Sequence, residues 1–345
     1  MSNPRQLRVV AIGGGTGLST LLRGLKRFVP APRTAASFNS GIRPAVLTPP
    51  SMPCLIRQLS AIVTVTDDGG SSGRLREDLN MLPPGDVRNC MVALSEDEHL
   101  LSQLFQYRFS QGDLEGHSFG NLFVAALTGI TGDFAQAVQT SSQILATRGR
   151  IYPSTTANAT LSARMDDGTL VEGETNITAS RQTIAELMLS PADAQPLPET
   201  LAAIAAADLI TLGPGSLYTS LICNLLVGGI PEALAASHAT RVYICNLMTQ
   251  ANESLGLTAS QHIEKIFDHA GEKIFDYALI NTAPVRQATL AQYAREGQMP
   301  IEPDLDRIRA LGVEPITGNF VHEGEVLRHS YDLVAETVLH LALRK

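Results

Sequence analysis

Two glycine-rich segments have the composition to bind an anion through their backbone amides. Residues 13–17 read G-G-G-T-G, directly after the apolar run V-V-A-I and before a stretch with helical spacing. Residues 213–216 read G-P-G-S and occupy the same position after another apolar run. Bare backbone at a helix N-terminus is the usual place for a phosphate. We therefore predict that a diphosphate is held by Gly13, Gly14, Gly15, Thr16, Gly17, Gly213, Gly215 and Ser216.

The first segment completes neither of two well-known nucleotide motifs. Leu18 stands where G-x-G-x-x-G requires its third glycine, and the lysine of the P-loop ATPase motif is missing. A dinucleotide-dependent oxidoreductase is therefore the least favoured of the functions that we consider. A tight turn with close packing is the structural alternative for these glycines.

A pair of carboxylates follows a second apolar run, in the segment D-D-G-G-S-S-G-R of residues 67–74. Asp67 and Asp68 have the chemistry to accept hydrogen bonds from ribose hydroxyls, or to hold Mg²⁺. Ser71 and Ser72 add hydroxyl donors for a phosphate. The alternative is a solvated turn in which aspartate and serine cap a helix.

Two more motifs carry polar side chains suited to hydrogen bonding with a ligand. The segment P-P-G-D-V-R-N of residues 83–89 offers Arg88 and Asn89, and its aspartate is interpreted as a helix N-cap. The segment G-H-S-F-G-N of residues 116–121 offers His117 and Asn121. Because the chain has no G-x-S-x-G elbow in this segment, serine hydrolysis is disfavoured.

These segments need a scaffold that brings them together, and the pattern between them predicts one. Apolar β-branched runs predict strands at Val9–Ile12, Ala61–Thr66, Asp208–Leu212, Arg241–Asn246 and Tyr277–Asn281. Helical spacing predicts helices at Leu18–Phe28, Val87–Leu94, Glu98–Tyr107, Asn121–Thr128, Phe134–Leu145, Leu197–Ala207, Leu217–Leu226 and Tyr331–Leu343. Such alternation is typical of a Rossmann-like, doubly wound, mainly parallel α/β sheet, which binds ligands at the C-terminal ends of its strands.

Two segments depart from the alternation within what we expect to be a single domain, residues 1–345. Residues 30–58 are rich in proline and predict an insertion that forms a mobile surface loop. Residues 151–190 predict a small antiparallel β insert. Its hairpin pairs Ala159–Met165 with Thr169–Thr175 across an Asp-Gly turn.

Composition limits the classes of function. The chain has 345 residues, a net charge of −8 and a pI of about 5.5, which disfavours nonspecific nucleic-acid binding. Its four cysteines are scattered, without zinc-ligand spacing, and we expect them to be reduced. The absence of a long apolar run or signal peptide predicts a cytoplasmic protein without stable membrane insertion.

The order of these motifs resembles the gluconeogenesis factor family. The matching segments are A-I-G-G-G-T-G-L-S, T-D-D-G-G-S-S-G-R-L-R, P-P-G-D-V-R-N, G-H-S-F-G-N-L, G-P-G-S-L-Y-T-S, Y-I-C-N-L-M-T-Q and V-L-R-H-S. That family is similar in fold to the phospholactate transferase (CofD) of deazaflavin-cofactor biosynthesis. The resemblance runs nearly end to end, except at residues 30–58, where the family passes almost directly from helix to strand.

The resemblance implies a binder of UDP-N-acetylglucosamine that regulates cell shape and cell-wall synthesis during gluconeogenic growth. It implies a homodimer, no required cofactor and no demonstrated catalysis, with an unknown downstream protein. Matched by motif, Thr16, Asn224 and Arg328 are expected to line the ligand site. The alternative is a Mg²⁺-dependent 2-phospho-L-lactate transferase with a nucleotide-diphospho-lactate donor and a deazaflavin acceptor. Asp67 or Asp68 would then hold the metal.

Overall fold

The computed structural model describes residues 6–30, 54–96, 100–180 and 182–344. Its strands are β1 (Leu7–Gly13), β2 (Ile56–Val63), β3 (Arg150–Pro153), β4 (Thr160–Met165), β5 (Leu170–Glu172), β6 (Ile184–Ser190), β7 (Leu209–Leu212), β8 (Thr240–Ile244), β9 (Tyr277–Asn281), β10 (Glu314–Gly318), β11 (Val321–Glu323) and β12 (Leu327–His329).

The helices connect these strands and cover the faces of the sheet. They are α1 (Gly15–Lys26), α2 (Gly70–Leu79), α3 (Gly85–Leu94), α4 (Leu100–Gln106), α5 (Phe119–Thr131), α6 (Phe134–Ile144), α7 (Glu174–Ala179), α8 (Pro198–Ala206), α9 (Cys223–Leu225), α10 (Ile230–Ala236), α11 (Ala259–Ala270), α12 (Gln287–Tyr293), α13 (Leu305–Ala310) and α14 (Tyr331–Leu343). A π-helical segment, Leu217–Ile222, runs directly into α9.

The described residues form one seven-stranded sheet in the order β10-β9-β8-β7-β1-β2-β3. Every neighbouring pair in it is parallel. The strand order reverses at β1, with β2 on one side and β7 on the other. This confirms the predicted Rossmann-like, doubly wound sheet, and it places the topological switch point between β1 and β7.

Alternate residues of β1 face two separate hydrophobic cores. Val9 and Ala11 belong to the cluster that contains α1, α3 and α14. Val10 and Ile12 belong to the opposite cluster, which includes the π-helical segment and α11. A strand buried on both faces is continuously apolar, and this explains the run V-V-A-I that precedes the first glycine loop.

All five strands predicted for the sheet are confirmed, with shifts at their ends. The second begins at Ile56 rather than at residue 61, so residues 56–58 of the predicted insertion belong to β2. Residues 31–53 lie outside the described residues, and the rest of that prediction stays a prediction. The sequence analysis missed both edge strands, β3 and β10, which contain Pro153 and Pro315.

The antiparallel insert is larger than the predicted hairpin. Strand β4 pairs with β5 on one edge and with β6 on the other, so the insert has three strands. The predicted strand over Thr169–Thr175 ends at Glu172, and α7 begins at Glu174. Strand β3, at the start of residues 151–190, belongs to the central sheet. Strands β11 and β12 form a separate hairpin before α14.

In the described residues, no single helix is long and apolar enough to cross a membrane. Leu217–Leu225 and Ile230–Ala236 reach that length and apolarity only when they are joined across a 79° bend. All four cysteines are free thiols, as predicted, with Cys54 exposed and the others buried.

Candidate functional site

A cleft with a volume of about 510 Å³ opens at the C-terminal ends of β1 and β7. Ligands of doubly wound sheets bind at this position, and pockets for small ligands span about 300–1,000 Å³. The cleft is lined by eight of the residues predicted for the site, namely Gly14, Gly15, Thr16, Gly17, Asp67, Gly215, Ser216 and Arg328. Their role in ligand binding stays a prediction, but the structure brings them together.

The positions of the first loop require glycine for different structural reasons. Gly15 has a φ of +61°, a conformation that favours glycine, and begins α1. A Cβ on Gly14 would overlap the methyl group of Thr64. A Cβ on Gly17 would overlap the carbonyl oxygen of Pro214, so Gly17 lets the two glycine loops pack against each other. Close packing is therefore one reason for these glycines, and the amide of Gly15 already donates to the carboxylate of Asp86.

The second loop is held by the segment that follows β8. Gln250 donates a hydrogen bond from Nε2 to Ser216 Oγ over 2.9 Å. Gly213 has a φ of +88°, which reverses the chain after β7. A π-helical segment follows, and such segments are frequent at functional sites.

Asn224 lies behind the glycine loops rather than in the cleft. It is fully buried, and its Nδ2 donates to the carbonyls of Gly13, over 3.3 Å, and Ser220, over 2.8 Å. Its Oδ1 is buried without a hydrogen-bond partner among the described residues. The geometry therefore assigns Asn224 a positioning role, while direct ligand contact stays a prediction.

The floor of the cleft is acidic, and two of its groups were not predicted. Asp86 and Glu174 line the cleft together with Asp67. Asp86 does not cap its own helix: its Oδ2 accepts a hydrogen bond from the backbone amide of Gly15 over 2.7 Å. Burial, with the charge of Asp67, raises the pKa of Asp86 to about 6. Burial and the neighbouring carboxylates raise the pKa of Glu174 to about 9, so Glu174 is neutral at pH 7.

The opposite wall comes from the segment after β8 and from the β11–β12 hairpin. It combines an apolar surface of Leu247, Met248, Leu327 and Tyr293 with the side chain of Arg328. His329 Nε2 lies 3.1 Å from the carbonyl oxygen of Cys245, so this nitrogen carries the proton and donates it. Burial lowers the pKa of His329 to about 4, and the ring is neutral.

The sequence analysis missed most of this wall. Residues 246–250 follow β8 as the first glycine loop follows β1, so the rule that selected the glycine loops also points to them. Tyr293 and Gln298 have no comparable pattern, because they come from a region far along the chain that folds over the sheet edge.

The two adjacent aspartates point to different partners. Asp67 lines the cleft, and its Oδ1 accepts from the amide of Gly69. Asp68 Oδ1 accepts from the amide and the hydroxyl of Thr175, over 2.8 and 2.6 Å, and so satisfies the first turn of α7. A bound Mg²⁺ would therefore use Asp67 with Asp86 rather than Asp67 with Asp68. Among the described residues, no group of three or more His, Cys, Asp or Glu side chains is arranged to hold a metal.

A second group of predicted residues gathers next to the cleft but does not line it. Ser71 Oγ lies 3.1 Å from His117 Nδ1 and accepts a hydrogen bond from Asn121 Nδ2 over 3.1 Å. Arg88 Nη2 donates to Asn89 Oδ1 over 2.8 Å. We call the basic cluster the set of Ser71, Arg74, Arg88, Arg108, His117 and Asn121. Ser72 is buried against Gly85, between this cluster and Asp67.

Comparison with known proteins agrees with this geometry. The family model of 2-phospho-L-lactate transferase CofD matches residues 9–321. The chain belongs to the CofD family, in its gluconeogenesis factor branch. The branch is shown by the gluconeogenesis factor of Halalkalibacterium halodurans, 47% identical over 97% of this chain and 96% of its own. The gluconeogenesis factor of Bacillus subtilis is 43% identical over 97% of this chain and 98% of its own.

A solved structure extends the relation to three dimensions. The crystal structure of a UPF0052 family member from Bacillus halodurans superposes with a TM-score of 0.87 at 46% identity. It covers 97% of this chain and 99% of its own. The fold shared with this relative therefore extends over nearly the whole chain, including the segments that line the cleft.

Proposed function

We propose that this protein binds UDP-N-acetylglucosamine in the cleft and acts as a regulator rather than as a catalyst. The observation that carries the proposal is the meeting of two glycine loops at the switch point of the sheet, opposite Arg328. Backbone amides at a helix N-terminus bind phosphate without a metal, and an arginine adds a charge-assisted hydrogen bond. The resemblance of the motifs to those of the gluconeogenesis factor family implies the identity of the ligand.

The two ends of the cleft suit the two ends of such a ligand. The apolar surface with Leu247, Met248 and Tyr293 is suited to the flat uracil ring, and Asn246 and Gln298 offer amides to its polar edge. The acidic floor with Asp67 and Asp86 is suited to accepting hydrogen bonds from sugar hydroxyls. The diphosphate would then lie between these ends, against Thr16 and Ser216.

In the cell, we propose that ligand occupancy controls cell shape and cell-wall synthesis during gluconeogenic growth, in the cytoplasm and through a homodimer. The support for this step is the resemblance of the motifs and the names of the relatives. The downstream protein partner stays unknown.

The second candidate is a Mg²⁺-dependent 2-phospho-L-lactate transferase, and the family description and the position of Asp67 favour it. An acceptor hydroxyl would attack the phospholactyl phosphorus of the donor, and a nucleoside monophosphate would leave. Asp67 and Asp86 would hold the metal, which neutralises charge on the phosphates. A deazaflavin acceptor, however, needs a flat stacking surface. Tyr293 is the one aromatic side chain among the described residues that line the cleft.

Calorimetric titration with UDP-N-acetylglucosamine, in the presence of Mg²⁺ and then of EDTA, separates the two functions. The regulator predicts saturable binding in both conditions, and chromatography should recover the ligand intact. Binding that requires Mg²⁺, or no binding at all, would favour the transferase. A phospholactyl-nucleotide donor would then be tested for release of nucleoside monophosphate in the presence of a deazaflavin.

A further inference from the structure

Three arginines of the basic cluster converge on residues 115–120, which end at the start of α5. Arg74 Nη2 donates to the carbonyl oxygen of Glu115 over 2.7 Å, and Arg108 Nη1 donates to the carbonyl of Gly116. The side chain of Arg88 packs against Gly120 so closely that a Cβ there would overlap its Cδ and Cγ atoms. Ser71 lies in the first turn of α2, Arg88 in the first turn of α3 and Asn121 in the first turn of α5, and a helix N-terminus carries partial positive charge.

The positive charge of the cluster is not balanced by ion pairs. None of Arg74, Arg88 and Arg108 forms a salt bridge with another residue in the described ranges. Arg88 Nε is buried and has no hydrogen-bond partner there. Burial, and then the charge of Arg108, lowers the pKa of Arg88, while Asp86 and Asp67 oppose that effect more weakly. A buried donor without a partner is costly unless a ligand satisfies it.

The uncharged members of the cluster are linked to one another by hydrogen bonds. Burial, with the charges of Arg74 and Arg108, lowers the pKa of His117, while the charge of Asp78 opposes the shift. Asn121 Nδ2 donates to Ser71 Oγ, which also lies 3.1 Å from His117 Nδ1. The atom of Asn121 without a partner among the described residues is Oδ1, an acceptor, in a side chain that is only 3% exposed.

We propose that the basic cluster is a second anion site, separate from the cleft, which binds the phosphate group of a small molecule. A phosphate dianion matches three arginines better than a carboxylate does, because it carries more charge and more acceptor oxygens. The site is adjacent to the cleft: Gly85 separates Ser72, the neighbour of Ser71, from Asp67 in the cleft floor. An occupant would therefore sense, or act together with, the cleft ligand.

Titration with inorganic phosphate, at constant ionic strength and followed by calorimetry, tests the site without the nucleotide-sugar. Saturable binding is expected for the wild-type protein. Arg108→Gln, which changes an exposed side chain, should weaken it by about tenfold, and Arg88→Gln by at least as much. Arg309→Gln, an exposed arginine of α13, is the matched control and should bind normally. Because Arg88 is half-buried, circular dichroism of Arg88→Gln has to show an intact fold.

Further experiments identify the ligand of the basic cluster and the site at which phosphate binds. Glycerol phosphate that competes more strongly than free phosphate indicates a phosphate monoester, and the reverse indicates inorganic phosphate. Either result supports the site. The proposal is wrong if phosphate does not saturate, if acetate competes equally, or if Arg328→Ala abolishes phosphate binding while Arg108→Gln leaves it unchanged. The last result would place the phosphate in the cleft. None of these results depends on whether the cleft binds UDP-N-acetylglucosamine.

Discussion

The cleft and the basic cluster are neighbours, yet they offer an anion opposite environments. The cleft presents backbone amides over a floor of Asp67, Asp86 and Glu174, so geometry rather than net charge must favour a diphosphate there. The cluster presents three arginine side chains that form no salt bridge among the described residues, so charge contributes more there. The two sites therefore represent two different ways to bind an anion, one through backbone amides and one through arginine side chains. Salt should therefore weaken binding in the cluster more than binding in the cleft.

The largest effect is expected from Gly17→Ala, because the added Cβ would overlap the backbone of Pro214. It should force the two glycine loops apart, lower the free energy of unfolding by about 3 kcal/mol and abolish binding in the cleft. Urea denaturation measures the first effect and calorimetry the second. Gly129→Ala is the matched control, because a Cβ on that helical glycine meets nothing within 4 Å. A stable Gly17→Ala that binds ligand would show that the loops need not touch.

Arg328→Ala should weaken UDP-N-acetylglucosamine binding by about thirtyfold, because it removes a charge-assisted hydrogen bond of about 2 kcal/mol. Stability should be unchanged, since Arg328 is exposed on the β11–β12 hairpin. Calorimetry and thermal melting measure the two quantities. Normal nucleotide-sugar binding by this variant would move the diphosphate away from the hairpin and towards the basic cluster.

A smaller effect is expected from pH, through Asp86. Three groups in the cleft have shifted pKa values. Glu174 titrates near 9 and His329 near 4, so among these three only Asp86, which titrates near 6, changes its charge around pH 6. Its ionised form repels a diphosphate, so affinity should rise as pH falls through about 6. We expect a change of about fivefold between about pH 7.5 and pH 5. Titration of Asp86→Asn should give a flat profile. A profile that keeps its slope in this variant would exclude Asp86 as the cause.

The smallest effect is expected from Glu174→Gln at pH 7. Burial keeps Glu174 protonated there, so glutamine replaces a neutral group of the same shape. Affinity for the nucleotide-sugar should change by less than about twofold. Glu174→Lys is the informative contrast, because it adds a positive charge to the floor of the cleft. A large loss of affinity in Glu174→Gln would mean that the carboxylate is ionised in the cleft.

The sequence predicts the centre of this fold better than its edges. Strand β1 is unmistakable because both of its faces are buried, whereas β3 and β10 lie at the edges and carry prolines. Helix α11 was missed although its capping box, Thr258 with Gln261, is written in the sequence. Tertiary pairing explains the missed third strand of the insert, because β6 gains its partner only when the chain returns to β4.

The candidate site was likewise predicted where local sequence patterns define it and missed where tertiary packing defines it. Glycine loops after strands are local patterns, and they place Thr16 and Ser216 in the cleft as predicted from position. Asp86 looks like a helix cap in the sequence, and only the packing of α3 against α1 turns its carboxylate towards Gly15. Motif reading also merged the cleft and the basic cluster, because spacing along the chain does not reveal on which side of Asp67 a side chain lies.

The most direct test of the central claim is a crystal structure of the protein with UDP-N-acetylglucosamine. We predict both phosphorus atoms between the two loops, with phosphate oxygens in hydrogen-bond contact with the amides of Thr16, Gly17 and Ser216, and with Arg328 alongside. A diphosphate bound instead by Arg88 and Arg108 would contradict the account, because the glycines would then serve packing alone.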